Sequence, residues 1–86
     1  MLFLPKRNVI VQDMTKQTKN KIEYLVVFIR EFAKRFSLSE SQAFRYMKNF
    51  GGIQLVLKNY GIMHTLDIDD TISDTALYCR KTGGKL

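Results

Sequence analysis

The feature that most limits what this chain can become is a run of apolar residues at helical spacing. Ile22, Leu25, Val26, Ile29, Phe32, Ala33 and Phe36 recur at i, i+3, i+4 and i+7, which gathers them into one stripe of an α-helix. Tyr24 and Phe28 widen the stripe, while Lys21, Glu23, Arg30, Glu31, Lys34 and Arg35 fill much of the opposite side. The spacing predicts a helix over about residues 19–36, with Thr18 or Asn20 able to cap its start. A striped helix must bury its apolar side against other elements, so the rest of the chain has to supply them.

Ser37-Leu38-Ser39 ends that helix, and Ser39 opens the next. The Ser39 hydroxyl can accept from a free backbone N–H and Gln42 can reach back, a capping box, while Leu38 can staple onto Ala43. Ala43, Phe44, Tyr46, Met47 and Phe50 give a helix over about 40–50, stopped by Gly51-Gly52. Ile53, Leu55, Val56 and Leu57 lack a decisive period, but their helix-forming neighbours favour two helical turns up to Lys58. Asn59-Tyr60-Gly61 should end these turns, with Gly61 free to take positive φ. Ile62 to Leu66 is expected to be extended or loop. The last helix starts at Asp67, turns Ile68, Ile72, Ala76 and Cys79 to one side, and stops at Gly83-Gly84. Asp69, Asp70 and Asp74 crowd its N-terminal half, where the helix dipole favours carboxylates, and Arg80 and Lys81 suit its C-terminal end.

The expected fold is therefore all-α: a compact bundle of three to four short helices over residues 19–84, preceded by a flexible N-terminal arm over residues 1–18. The arm holds the sole proline, Pro5, and a β-prone run from Asn8 to Val11. Met14 directly precedes the polar lead-in Thr15 to Thr18, which points to Met14 as the biological start or to residues 1–13 as a loosely held arm. Alternatively, Val9 to Val11 add a strand to a partner's sheet edge.

At 86 residues the chain fits one domain, and a domain of this size buries only roughly 60% of the surface its unfolded chain exposes. A composition 45% hydrophobic excludes intrinsic disorder. Cys79 is the lone cysteine, so no internal disulfide can form. It reads as a buried structural thiol in a reducing compartment. No apolar run reaches the roughly 20 residues that span a bilayer, and the apolar start followed by basic residues is the reverse of a signal peptide. A cytoplasmic location is expected. Fourteen Lys and Arg against 8 Asp and Glu give a net charge of +6, which favours polyanions or acidic partners. The cations are scattered, however, as on solvated helix faces.

Few residues carry chemistry. His64 is the single histidine. It has no second His or Cys beside it for a metal site, though Asp67, Asp69 and Asp70 lie near enough in sequence to partner a general base. The simpler expectation is structural: His64 or Thr65 bonds backbone groups where the chain turns into the last helix. Asp67, Asp69, Asp70 and Asp74 lack the Gly and Glu of an EF-hand loop and read as helix-start acids. Gly51-Gly52 is too short for a phosphate loop. A helix-turn-helix made of the second and third helices would place a mostly apolar segment, Ile53 to Asn59, in the groove of DNA. Only Gln54, Lys58 and Asn59 of that segment suit base reading. No catalytic residue, metal site or cofactor is expected, so the chain does not read as an enzyme. The residues singled out as a candidate partner-binding or structural loop are Tyr60, His64, Thr65, Asp69 and Asp70.

Gly51-Gly52-Ile53, Asn59-Tyr60, Met63-His64-Thr65-Leu66, Asp69-Asp70 and Gly83-Gly84 together resemble a family of small bacterial proteins classed as domain of unknown function 3791. The resemblance covers about Lys21 to Gly84 and leaves out residues 1–13. It implies an all-helical cytosolic fold and supplies no metal or substrate site. It also implies a protein partner: members are often encoded beside a larger protein similar to ADP-ribosyltransferases, in pairs resembling toxin–antitoxin or phage-defence modules. The expected function is thus a non-enzymatic partner-binding domain, antitoxin-like or accessory, with a neighbouring gene product as partner and self-association left open. The alternative is a small helix-turn-helix-like nucleic-acid-binding regulator.

Overall fold

The structure, a computed structural model, describes residues 15–86. The β-prone run Asn8–Val11 with its alternative edge strand at Val9–Val11, the Met14 start and most of the expected arm lie outside the described residues. Five α-helices follow in order: α1 (Thr15–Arg35), α2 (Glu40–Asn49), α3 (Gly52–Lys58), α4 (Tyr60–Met63) and α5 (Ile68–Lys81). There is no strand among the described residues. The all-α class is as the sequence indicates, with one more helix than the expected three to four. At 21 residues α1 is also not short. It begins before residue 19, so Thr15 to Thr18 belong to the helix and not to an arm. Their Lys and Gln are good helix formers with no Gly or Pro among them, and a polar overhang leaves no apolar period to announce it.

The helix ends are set by local chemistry. After α1, Leu38 N–H donates to Ala33 O at 2.8 Å and Ser37 N–H to Lys34 O at 3.4 Å, the paired bonds of a Schellman stop. The residue that turns left-handed there is Ser37, with φ 56°, where glycine is usual. The expected capping box on α2 is formed: Gln42 N–H donates to Ser39 Oγ at 3.0 Å, and Ser39 N–H to Gln42 Oε1 at 2.9 Å. Gly51, at φ 83°, caps α3 and lets the chain pass from α2 to α3 without a loop. A second Schellman stop closes α5, with Gly84 N–H to Cys79 O at 2.8 Å, Gly83 N–H to Arg80 O at 3.1 Å and Gly83 at φ 109°. Thr82 Oγ1 then donates to Phe50 O at 2.7 Å, tying the end of α5 to the end of α2.

Phe28 and Phe32 of α1, Met47 of α2, Val56 of α3, and Ile72 and Cys79 of α5 are the large, fully buried side chains that meet in the middle. α1 packs on α2, α3 and α5, and α3 also packs on α2, α4 and α5. An aromatic chain runs beside them: Phe36, Phe32, Tyr46 and Phe50, with successive centroids 4.8, 6.1 and 5.1 Å apart. Ile62 to Leu66 is not extended, against the expectation. Met63 N–H donates to Asn59 O, His64 N–H to Tyr60 O and Leu66 N–H to Met63 O, which makes one α turn and then a tight turn. Gly61 lies inside α4, and its φ is not positive. The break between α3 and α4 is the single residue Asn59, whose side-chain Nδ2 donates to Leu55 O at 2.9 Å. No helix among the described residues is long and apolar enough to cross a membrane.

Candidate functional site

The turn after α4 is closed by backbone bonds from His64 N–H to Tyr60 O, Thr65 N–H to Ile62 O and Leu66 N–H to Met63 O, and side chains collect around the same carbonyls. His64 Nδ1 lies 2.7 Å from Tyr60 O, so the tautomer protonated on Nδ1 donates to that carbonyl. The His64 ring stacks on the Tyr60 ring, with centroids 4.4 Å apart and planes 11° apart. Thr65 Oγ1 donates to Ile62 O at 2.6 Å, and Tyr24 Oη reaches down from α1 to donate to Met63 O at 3.3 Å. Tyr24 also meets Tyr60 edge to face at 5.5 Å. The expectation that His64 and Thr65 bond backbone groups holds in kind but not in place. They bond carbonyls of α4, those of Tyr60 and Ile62, and not N–H groups at the start of α5. The latter task belongs to Asp67, whose Oδ1 accepts from Asp69 N–H at 2.8 Å. His64 is exposed.

Asp69 and Asp70 sit in the first turn of α5, where the dipole accounts for them. The Asp69 carbonyl accepts from Arg35 Nη1 at 3.1 Å, and Arg35 Nη2 donates to Ser73 Oγ at 2.7 Å, a clasp from the end of α1 to the start of α5. No hydrogen bond or ion pair joins His64 to an aspartate among the described residues. The five singled-out residues therefore fall into two groups: Tyr60, His64 and Thr65 around the end of α4, and Asp69 and Asp70 on the start of α5. Among the described residues no group of three or more His, Cys, Asp or Glu could hold a metal ion.

The feature that sequence reasoning missed lies beside these groups. α3, α4 and α5 enclose a shallow groove of about 280 Å³ whose wall includes Leu55, Asn59, Met63 and Thr75. Ile62 and Leu66 form its lip and are 62% and 52% exposed, with Asp74 on the α5 side. Thr75 is fully buried, and its Oγ1 has no hydrogen-bond partner. The available signal was the spacing of Ile62 and Leu66, four apart, in a segment that showed no longer period. Only a helical turn puts such a pair side by side.

The remaining ionisable groups with altered behaviour are structural. Cys79 is buried, as expected. Burial raises its thiol above the ordinary range, opposed in part by the Gly52 backbone N–H. Burial likewise raises the Tyr46 phenol, and neighbouring Cys79 adds to the shift while Arg80 opposes it. A buried thiol of raised pKa is a poor nucleophile.

Fold and site together define a small all-helical domain with an apolar groove between α3, α4 and α5. The family described as protein of unknown function (DUF3791) matches residues 23–82, and the chain belongs to that family. No match was found among curated proteins or among solved structures.

Proposed function

We propose that this chain is a non-enzymatic protein-binding domain of the cytoplasm, the antitoxin-like or accessory half of a two-gene module. The observation that carries the reading is the groove between α3, α4 and α5 with its exposed lip, Ile62 and Leu66. Large aliphatic side chains adjoining a concave apolar surface are what a protein partner buries. Family resemblance supports the identity of that partner as the ADP-ribosyltransferase-like product of the neighbouring gene. The test is co-expression of the two products. A stable complex that co-purifies, and that is lost in Leu66→Asp with the melting temperature kept, supports the reading. Failure of the two to associate at micromolar concentration sinks it.

The nucleic-acid reading ranks second, motivated by the +6 charge. Of the seven residues of α3, the candidate recognition helix, only Gln54 and Lys58 are exposed, too few to read a base sequence. Lys48, Arg80 and Lys81 lie in the last turns of α2 and α5, where the helix dipole already favours cations and opposes phosphate. Binding to duplex DNA should be weak and vanish between low and physiological salt. Sequence-selective binding at physiological salt would promote this reading to first place.

A further inference from the structure

A second apolar surface lies on the α1–α2 side of the domain and is not used by the reading above. Along α1, Ile22, Val26, Ile29 and Ala33 are separated by four, three and four residues, the alternation of a coiled-coil seam. Ala33 is buried against α2 and Ile29 half so, but Ile22 and Val26 are 50% and 43% exposed. Phe44 of α2, 41% exposed, extends the surface sideways, and Val26, Ile29 and Phe44 line a shallow depression there. A seam that α2 covers at one end and leaves open at the other is a half-used helix face.

The charges beside it say what covers the open end. Glu23 and Arg30 flank the seam on the same side, since seven residues are nearly two full turns. Both are exposed, and Glu23 makes no ion pair among the described residues. Arg30 makes a loose pair with Glu40 at 3.7 Å, both side chains well exposed, which contributes little. When two copies of α1 lie antiparallel about an axis between Val26 and Val27, residue pairs whose numbers sum to 53 face each other. Glu23 of one copy then faces Arg30 of the other, twice, because a two-fold interface repeats every contact. In the same register Val26 lies at the axis and Ile22 lies beside Ile29 of the other helix. Parallel pairing about a two-fold axis would put the Glu23–Arg30 flanks of the two copies on opposite edges of the seam, where they could not pair with each other.

We propose that the face formed by Ile22, Val26 and Ile29 of α1 with Phe44 of α2 is the interface of an antiparallel homodimer, held in register by reciprocal Glu23–Arg30 pairs. The seam is short, so the dimer is weak and exchanging, with a dissociation constant on the order of 10–100 μM, as befits an interface at the small end of the known range. It leaves the Ile62–Leu66 groove open, so a dimer can present two grooves.

Sedimentation equilibrium of the full chain from 5 μM to 1 mM, concentrations of about these values being needed to bracket such a constant, tests the proposal. Val26→Glu, at an exposed position, should leave the melting temperature unchanged and abolish the dimer. Glu23→Arg and Arg30→Glu should each raise the dissociation constant by about tenfold, because each turns two attractions into repulsions. The combined Glu23→Arg/Arg30→Glu variant should restore it to within about threefold, since the pairs are re-formed with reversed sign. A full chain that stays monomeric at 1 mM overturns the proposal and assigns the face to residues 1–13 or to a foreign protein. A dimer indifferent to Val26→Glu, or a charge swap without rescue, overturns it equally. Leu66→Asp should leave the dimer intact while removing the hetero-complex, so failure here is separable from failure of the proposed function.

Discussion

Gly52→Ala and Gly61→Ala are the same chemical change at two helical glycines, and the structure gives them opposite signs. Gly52 is the first residue of α3, at a point where α3 comes close to both α2 and α5. A Cβ built there would lie 2.9 Å from Cys79 Sγ, 3.2 Å from Met47 Cβ and 3.3 Å from Met47 Cα. Cys79 and Met47 are fully buried, and one of the three atoms is backbone, so the helices must move apart. Overpacking of this kind costs about 1–3 kcal/mol. Gly61, within α4, has nothing within 4 Å of a built Cβ and no positive φ. There alanine should add roughly 0.5–1 kcal/mol of stability by restricting the unfolded chain. For a domain this small each kcal/mol shifts the melting temperature by about 4–8 °C, so urea titration and thermal melts resolve both changes. A double-mutant cycle of Gly52→Ala with Cys79→Ala should show favourable coupling, because the second change removes the nearest atom. Equal effects at the two glycines, or a Gly52→Ala variant within about 0.5 kcal/mol of the parent, the usual range for innocuous surface changes, would refute the close approach of the three helices.

Three further outcomes are expected. Ser37→Gly should stabilise the domain by about 0.5–1 kcal/mol, since Ser37 holds φ 56°, a conformation that glycine adopts without the steric penalty of a Cβ; a neutral or negative change by urea titration contradicts the strain. His64→Ala should lower stability by less than about 1 kcal/mol, because the bond to Tyr60 O is made at an exposed ring and water can replace it; a larger loss in thermal melts would mean that the Tyr60–His64 stack carries the turn. Stability should fall as pH rises past the ordinary value of 9.0 for the thiol and 10.0 for the phenol, because both Cys79 and Tyr46 are raised on folding. The unfolded chain then loses its protons first, so the stabilisation is complete below the unfolded values and disappears as pH climbs through the folded ones; Cys79→Ala should flatten the lower part of that decline in urea titrations at pH 8–11, a range bracketing both ordinary values.

The sequence was most informative where one physical rule acted alone. The capping box at Ser39 and Gln42, the Asp67 cap and the Gly83-Gly84 stop depend on neighbours within five residues, and each was legible. The start of α1 was not, because Lys16, Gln17 and Lys19 are solvated on every side and periodicity has nothing to register. α4 was missed because glycine at 61 suggested a break, whereas the break is Asn59, closed by its own side-chain bond to Leu55 O. For the site, the residues around His64 were legible as a polar turn, but not which helix they serve. That choice rests on Tyr24, 39 residues away, which meets Met63 O and the Tyr60 ring. The groove was not read because its lip depends on α4, the helix that was missed, packing beside α3 and α5.

The way α4 is held bears on what its surface can do. Only Met63 of this turn enters the core. The remainder is fixed by Tyr24, by the Asn59 side chain and by its own local hydrogen bonds. Such a segment, with few buried contacts and exposed backbone bonds, opens at lower free energy than the helices around it. Yet it is the segment that carries Ile62 and Leu66 at the lip of the groove. On the proposed function, a lip built on a lightly held turn beside α5 can adjust to a partner at small cost while α5 keeps the opposite wall in place. The Arg35 clasp onto Asp69 O and Ser73 fixes the start of α5 to α1, so adjustment is confined to the α4 side. The aromatic stack of Tyr60 on His64 lies outside the core and stiffens the turn without anchoring it, which on the proposed function leaves Ile62 and Leu66 ordered enough to be recognised and free enough to be buried.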